Sequence, residues 1–233
     1  MITVLRAIPV ASLRLLVFDL DGTLIDSGAD LCHSINAMLE HFGRALLPQA
    51  VIASYIGDGA GMLVRRALGD PDDQVFVDAA IRFFLDWYRE HKLDNTYVYP
   101  GVFASLEALS VATDGRPPEM AVLTNKPVGP ARAICEGLGL SRYFSTIYGG
   151  DSFHSKKPDP HGLLTLIRKA AVRADETLMV GDSDVDVLTA RNAGSWSLGC
   201  KFGLSPHTLE AAPPDVLVDS ADEWREALRR ECA

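Results

Sequence analysis

The chain has 233 residues, enough for one large α/β domain, or a domain with a smaller insert, built around a sizeable core. Hydrophobic residues make up 48% and charged residues 23%, ordinary globular usage that favours neither a disordered nor a fibrous class. The formal net charge of −9 argues against a protein that binds nucleic acid by neutralising phosphates, although a local cationic site can still take a small anionic substrate.

Residues 1–10 are mildly apolar, but Pro9 interrupts them and only Arg6 precedes it, so neither a cleaved signal peptide nor a membrane span is expected. Residues 15–18 are a short apolar run ending in Asp19-Leu20-Asp21-Gly22-Thr23, which reads as a strand buried on both faces with chemistry at its tip. From Leu31 the apolar spacing turns helical through Ile35, Met38 and Phe42, with Gly43 as a stop. Residues 48–55 and 62–68 read as two short helices separated by Gly57-Asp58-Gly59-Ala60-Gly61. Residues 72–91 read as a longer helix whose aromatic stripe, Val75, Phe83, Phe84, Trp87 and Tyr88, suits core packing. A crossover between parallel strands needs only about a dozen residues. The all-helical stretch 27–95 is therefore expected to be a separate insert, leaving 1–26 and 96–233 as an α/β core.

Tyr99-Pro100-Gly101 breaks the chain, and 102–109 resumes a helix. Residues 113–118 hold Asp-Gly and Pro-Pro, the signature of a surface loop. Strands are then expected at 120–123, 144–148, 177–180, 195–198 and 216–218. Helices are expected at 131–138, 160–171, 187–193 and 222–230. This alternation predicts a doubly wound, parallel sheet. The four cysteines, Cys32, Cys135, Cys200 and Cys232, show no paired spacing, so neither a zinc site nor a disulfide framework is expected, and a reducing cytoplasm is the simplest setting.

In a parallel sheet, four polar clusters fall on one edge: Asp19 with Asp21; Thr124 with Asn125; Lys156 and Lys157 before Pro158; and Asp182 with Asp184 and Asp186. Each alone can be a turn, a solvated pair or a helix cap. Together they suit phosphoryl transfer. Clustered carboxylates bind a hard cation through oxygen, which points to magnesium. A lysine and a hydroxyl can grip phosphate oxygens, and a carboxylate can attack phosphorus to form an aspartyl-phosphate.

Asp19-Leu20-Asp21-Gly22-Thr23, Leu123-Thr124-Asn125-Lys126, Lys157-Pro158 and Gly181-Asp182-Ser183 with Asp186 resemble, in order, the four signature motifs of the haloacid dehalogenase superfamily. The resemblance spans residues 13–230 and implies a Rossmann-like core with an inserted helical cap. It implies that Asp19 is the nucleophile and that Asp21 is the acid and then the base, with its carboxyl free for the proton. Thr124 and Asn125 would bind phosphate, and Lys157, rather than Lys156, would stabilise it. Magnesium would be held by Asp19, the Asp21 carbonyl and Asp182, with Asp186 in support; Asp184 would be a solvated loop residue.

The segment 55–68 resembles the cap of phosphoglycolate phosphatases, which makes Gly57, Asp58, Gly59 and Arg66 candidates for substrate specificity, beside the alternative of a plain turn and a solvated arginine. The expected protein is a cytoplasmic magnesium phosphatase, a monomer or homodimer, with neither nucleic acid nor membrane as partner. Its substrate would be a small phosphorylated metabolite, 2-phosphoglycolate first. Phosphosugar phosphatase or phosphomutase, pyrophosphatase and nucleotidase activities are rivals within the superfamily. A dehalogenase is disfavoured because carbon–halogen cleavage does not need the acid at Asp21. A non-catalytic phospho-switch is the rival of another class, disfavoured by that same acid and by the cap.

Overall fold

The sheet grows outward from the strand that carries Asp19. The computed structural model of the chain describes residues 1–110 and 117–228. In chain order its elements begin with β1 (Thr3–Val4), β2 (Leu15–Phe18) and β3 (Ile25–Asp26), followed by α1 (Gly28–His41), α2 (Gln49–Ala53), α3 (Ala60–Ala67) and α4 (Gln74–His91). Then come β4 (Tyr97–Val98), α5 (Val102–Ser110), β5 (Glu119–Leu123), α6 (Val128–Gly137), β6 (Thr146–Tyr148) and α7 (His161–Ala170). The chain finishes with β7 (Thr177–Gly181), α8 (Asp184–Ala193), β8 (Trp196–Cys200), β9 (Val216–Val218) and α9 (Glu223–Ala227).

All four residues of β2 are buried, and their alternation divides the core between two faces. Leu16 and Phe18 join an apolar cluster with Val102, Leu106, Ile134 and Trp224, whereas Leu15 and Val17 pack with Leu163, Leu166 and Ile167. A continuous apolar run is what a strand covered on both sides requires.

The seven-stranded sheet has the order β1-β9-β8-β7-β2-β5-β6. All its pairings are parallel except that of β1 with β9. Leaving β1 aside, the parallel strands run outward in two directions from β2, the doubly wound arrangement, and the reversal falls between β2 and β7. Register fixes what meets there. Phe18 pairs with Val122 on one side and Val180 on the other. The polar residues that follow each strand therefore emerge side by side.

Between β2 and β4 the chain forms α1 to α4. Helix α4 starts at Asp73, whose carboxylate accepts from the Phe76 amide, and it buries Val77, Ala80, Phe84 and Tyr88 at helical spacing. The aromatic stripe expected as core divides. Phe84 and Tyr88 face inward, while Val75 and Trp87 are exposed, because adjacent helical positions point about 100° apart. Trp87 stacks between Phe83 and His91 on the outer face.

The two connections to this helical segment run together. Ile25 and Asp26 pair antiparallel with Val98 and Tyr97. Buried Asp30 accepts from the backbone and side chain of both Asn95 and Thr96 at 2.7–3.0 Å.

Strand β1 lies in the amino-terminal stretch, for which the sequence suggested no element, held by β9 rather than by any periodicity of its own. Two local expectations are corrected. Helix α6 starts at Val128, three residues earlier than its periodicity suggests, because Pro127 supplies the preceding turn. Asp184 belongs to the first turn of α8 rather than to a loop: Ser183 and Asp186 form a reciprocal capping box that starts the helix there. The expected loop at 113–118 and the end of the expected 222–230 helix fall largely outside the described residues, as does Cys232. Among the described residues, no helix is long and apolar enough to cross a membrane.

Candidate active site

Strand order alone brings three of the four polar clusters to one point, and the loop before α7 delivers the fourth. Asp19 leaves β2, Thr124 and Asn125 leave β5, and Asp182 leaves β7. The Lys157 ammonium lies 3.0 Å from Asp19 Oδ1 and 2.5 Å from Asp186 Oδ1. Asn125 ties these parts together: its Oδ1 accepts from the Lys157 amide at 3.0 Å, and its amide nitrogen donates to the carbonyls of Lys157 and Gly57 at 3.1 Å. Thr124 and Asn125 are buried and line the cleft beside Asp19.

Oxygen atoms of Asp19, Asp182 and Asp186 lie within 4.8 Å of one another. Burial, reinforced by the Asp186 charge, pushes Asp19 up to about 6 against the pull of Lys157. Burial and the charges of Asp186 and Asp19 also raise Asp182 well above the ordinary carboxylate range. Lys157 answers in kind. Burial opposes its charge, but Asp186 and Asp19 outweigh that and raise it.

One ammonium facing three buried carboxylates leaves excess negative charge in an all-oxygen donor set. That composition fits a hard divalent cation such as magnesium and offers no nitrogen or sulfur ligand for zinc. Asp186 has both oxygens engaged, one by Lys157 and the other by the Ser183 amide and hydroxyl. Asp182 accepts the Leu204 and Ser205 amides on Oδ2 alone. The turn that admits this packing needs a glycine. Gly22 has φ +83°, and a Cβ there would lie 2.1 Å from Asp182 Oδ2.

Asp21 differs from the sequence expectation of a free carboxyl. Its Oδ1 accepts from Ser27 Oγ at 2.5 Å, and Lys126 Nζ approaches both oxygens at 2.8 and 2.9 Å. Lys126 is buried, and a buried ammonium must find a counter-charge, which Asp21 supplies. Sequence reading missed Lys126 as a site residue although it lies in the quoted Thr124-Asn125-Lys126 motif, because its partner is over a hundred positions away.

The helical segment closes over this edge, forming a solvent-open cleft lined by Asp19, Asp21, Thr124 and Asp182 below and by Ile56, Leu63 and Phe84 above. Gly57 and Gly59 line it; Asp58 and Arg66 do not, and instead pair with each other at 2.5 Å. Gly59 has φ +86°, and a Cβ there would come within 2.8 Å of the Asn125 carbonyl, so the two parts of the chain approach backbone to backbone. Lys156 is exposed and makes none of the contacts of Lys157.

A sheet wound outward from β2, with carboxylates, a hydroxyl and a lysine gathered at its switch point, defines a phosphoryl-transfer hydrolase. A sequence profile of the haloacid dehalogenase-like hydrolases matches residues 16–199, and the chain belongs to that family. Within it the chain is a phosphoric monoester hydrolase similar to the phosphoglycolate phosphatases. It is 40% identical over 199 residues to the phosphoglycolate phosphatase of Rhodospirillum rubrum, covering 82% of this chain and 81% of the relative. It is likewise 40% identical over 220 residues to that of Neisseria meningitidis, covering 91% and 92%. The crystal structure of a predicted phosphoglycolate phosphatase from Haemophilus somnus superposes with a TM-score of 0.84 at 29% identity, covering 92% of this chain and 97% of the other.

Proposed function

We propose that the protein is a magnesium-dependent phosphatase that hydrolyses a small phosphate monoester, 2-phosphoglycolate first among candidates, through an aspartyl-phosphate on Asp19. The observation that carries this reading is the grouping of the Asp19 carboxylate, at the strand tip, with Lys157 and with the Asp182 and Asp186 carboxylates. Asp19 attacks phosphorus, and the ester P–O bond breaks while Asp21, which first takes up a proton on one oxygen as the other keeps its contact with Lys126, gives that proton to the departing alkoxide. Asp21 then takes a proton from water, whose oxygen attacks the aspartyl-phosphate, and inorganic phosphate leaves as the Asp19 carboxylate is restored.

Thr124 and the backbone after it hold the non-bridging oxygens, and Lys157 offsets their charge. Asp19, the Asp21 carbonyl and Asp182 would hold magnesium, and Asp186, with both its oxygens engaged, keeps Lys157 in place. Bound there, the cation neutralises the carboxylates and polarises the phosphoryl group. Residues 27–95 act as a cap on a core of 1–26 and 96–233, excluding water when closed and hinging at the paired connections. The phosphoglycolate phosphatase relatives and the partly apolar cleft over Asp19 support 2-phosphoglycolate as substrate.

Purified protein is expected to release inorganic phosphate from 2-phosphoglycolate only with a divalent cation, and Asp19→Asn to abolish turnover while retaining the fold by circular dichroism. Turnover surviving in Asp19→Asn would rule out the covalent route. Glycolate accompanied by stoichiometric phosphate separates hydrolysis from mutase activity.

A further inference from the structure

Two groups in the cleft are left without a task by the hydrolytic steps. The Tyr88 hydroxyl, brought by α4, is buried in a side chain only 2% exposed; the Lys126 ammonium beside it can only donate, and among the described residues nothing accepts the phenol's own proton. The Lys126 ammonium, brought by the turn after β5, lies 4.7 Å from the centre of the Tyr88 ring while pairing with Asp21. Both residues line the cleft that holds Asp19.

A buried phenol with nothing to accept its proton is an unfavourable arrangement that a ligand oxygen would relieve. An ammonium has three protons, and contact with one carboxylate leaves capacity for a second acceptor. Apart from Asp21, which Lys126 pairs with, the cap side of the cleft is apolar, with Leu31, Leu63, Phe84 and Leu85, and among the described residues Lys126 is the one cationic residue lining it. A hydroxyl donor beside a single cation in such walls matches one negative charge on a small planar group.

We infer that Tyr88 and Lys126 form the specificity site for a carboxylate carried on the alcohol side of the phosphate ester. The inference rests on the reading above that the phosphoryl group sits at Asp19, and it deepens that reading to a substrate class, the short phosphorylated hydroxy acids. Tyr88 Oη donates to one carboxylate oxygen, and Lys126 Nζ pairs with the carboxylate while keeping contact with Asp21. Because Tyr88 comes from the helical segment and Lys126 from the sheet edge, the site is complete only when the two parts meet. An acidic substrate is thereby coupled to closure.

Tyr88→Phe removes one oxygen and keeps the ring, so it is the primary variant, with Lys126→Met as the second. Steady-state kinetics are compared for 2-phosphoglycolate, 2-phospholactate and the neutral ester ethyl phosphate. Binding of the same three compounds to the Asp19→Asn protein, with and without Tyr88→Phe, is followed by calorimetry. In Tyr88→Phe, kcat/KM for the carboxylate esters is expected to fall at least tenfold further than for ethyl phosphate, mainly through KM. Their Kd is expected to weaken by a similar factor, and Lys126→Met to reduce the discrimination as well.

Equal losses on acidic and neutral esters in Tyr88→Phe, or a wild-type protein that does not prefer the acidic esters in either turnover or binding, would overturn the site. A wild-type protein that prefers 2-phospholactate and ignores 2-phosphoglycolate would overturn the substrate named above and support the site. Carboxylate-selective binding that is lost with the Tyr88 hydroxyl, in a protein that turns over none of the three, would overturn the hydrolytic reading alone.

Discussion

Lys157 is the single positive charge that three buried carboxylates share, and its ammonium contacts two of them directly. Removing one partner of a buried pair leaves an uncompensated charge and costs about 3–5 kcal/mol. Lys157→Met is therefore expected to lower the urea midpoint markedly in the absence of metal and to abolish turnover of every phosphate ester. Added magnesium should recover part of the stability and none of the activity, because the cation offsets the carboxylates but does not replace the lysine at the phosphate. A midpoint that did not move would show that the carboxylates are relieved by protonation instead. At this scale the sequence was informative about identity and silent about pairing. Lys157 was readable from the proline that follows it. Asp21 was readable as a site candidate, but its engagement by Lys126 and Ser27 was not.

The two connections between the helical segment and the sheet are the elements on which any movement of one against the other turns. Asp30 locks them, with its buried carboxylate accepting from Asn95 and Thr96. Burial alone would raise its carboxyl, yet the donors of Thr96 and Asn95 together outweigh it and hold the group below the usual carboxylate range. A carboxyl lowered in the folded state stabilises the fold above its ordinary value of 3.8, and the contribution is lost as the pH falls through the lowered value. At pH 7 Asp30→Asn is expected to be less stable than wild type by at least about 2 kcal/mol, the cost of breaking charge-assisted bonds in a buried site. Urea unfolding across a pH series should show that difference narrowing toward acid. A difference constant down to pH 3 would mean that Asp30 acts through shape rather than charge. The short strands beside this lock, Ile25–Asp26 and Tyr97–Val98, had no signature in the sequence, since two residues are too few to display a period.

Across the whole molecule, the doubly wound sheet converts separations of more than a hundred residues into contacts of about 3 Å at its switch point. The three carboxylates gathered there outnumber the one ammonium that contacts them. Ligand binding to the folded state alone raises stability by about 2.7 kcal/mol at a concentration one hundred times Kd. For a chain of this size that corresponds to a rise in Tm of roughly 5–10 °C. Magnesium is therefore expected to raise the wild-type Tm, and to do so much less in Asp182→Asn, with differential scanning calorimetry as the measurement. Equal shifts in both proteins would place the stabilising ion elsewhere on this acidic surface.

By itself the sequence determined which polar residues end the strands and which strands are buried. Apolar runs, alternation and the order of polar strand ends are local properties, written in consecutive residues. Only the tertiary structure decided that β7 rather than β6 lies beside β2, and that Lys126 reaches Asp21 while Lys157 reaches Asp19 and Asp186. It also decided that Tyr88, one residue of an aromatic stripe suited to core packing, lines the cleft with a hydroxyl whose proton nothing accepts among the described residues. The physical reason is the same in each case. Strand neighbours and ion-pair partners are selected by packing between segments far apart in the chain, and neither periodicity nor composition encodes that selection.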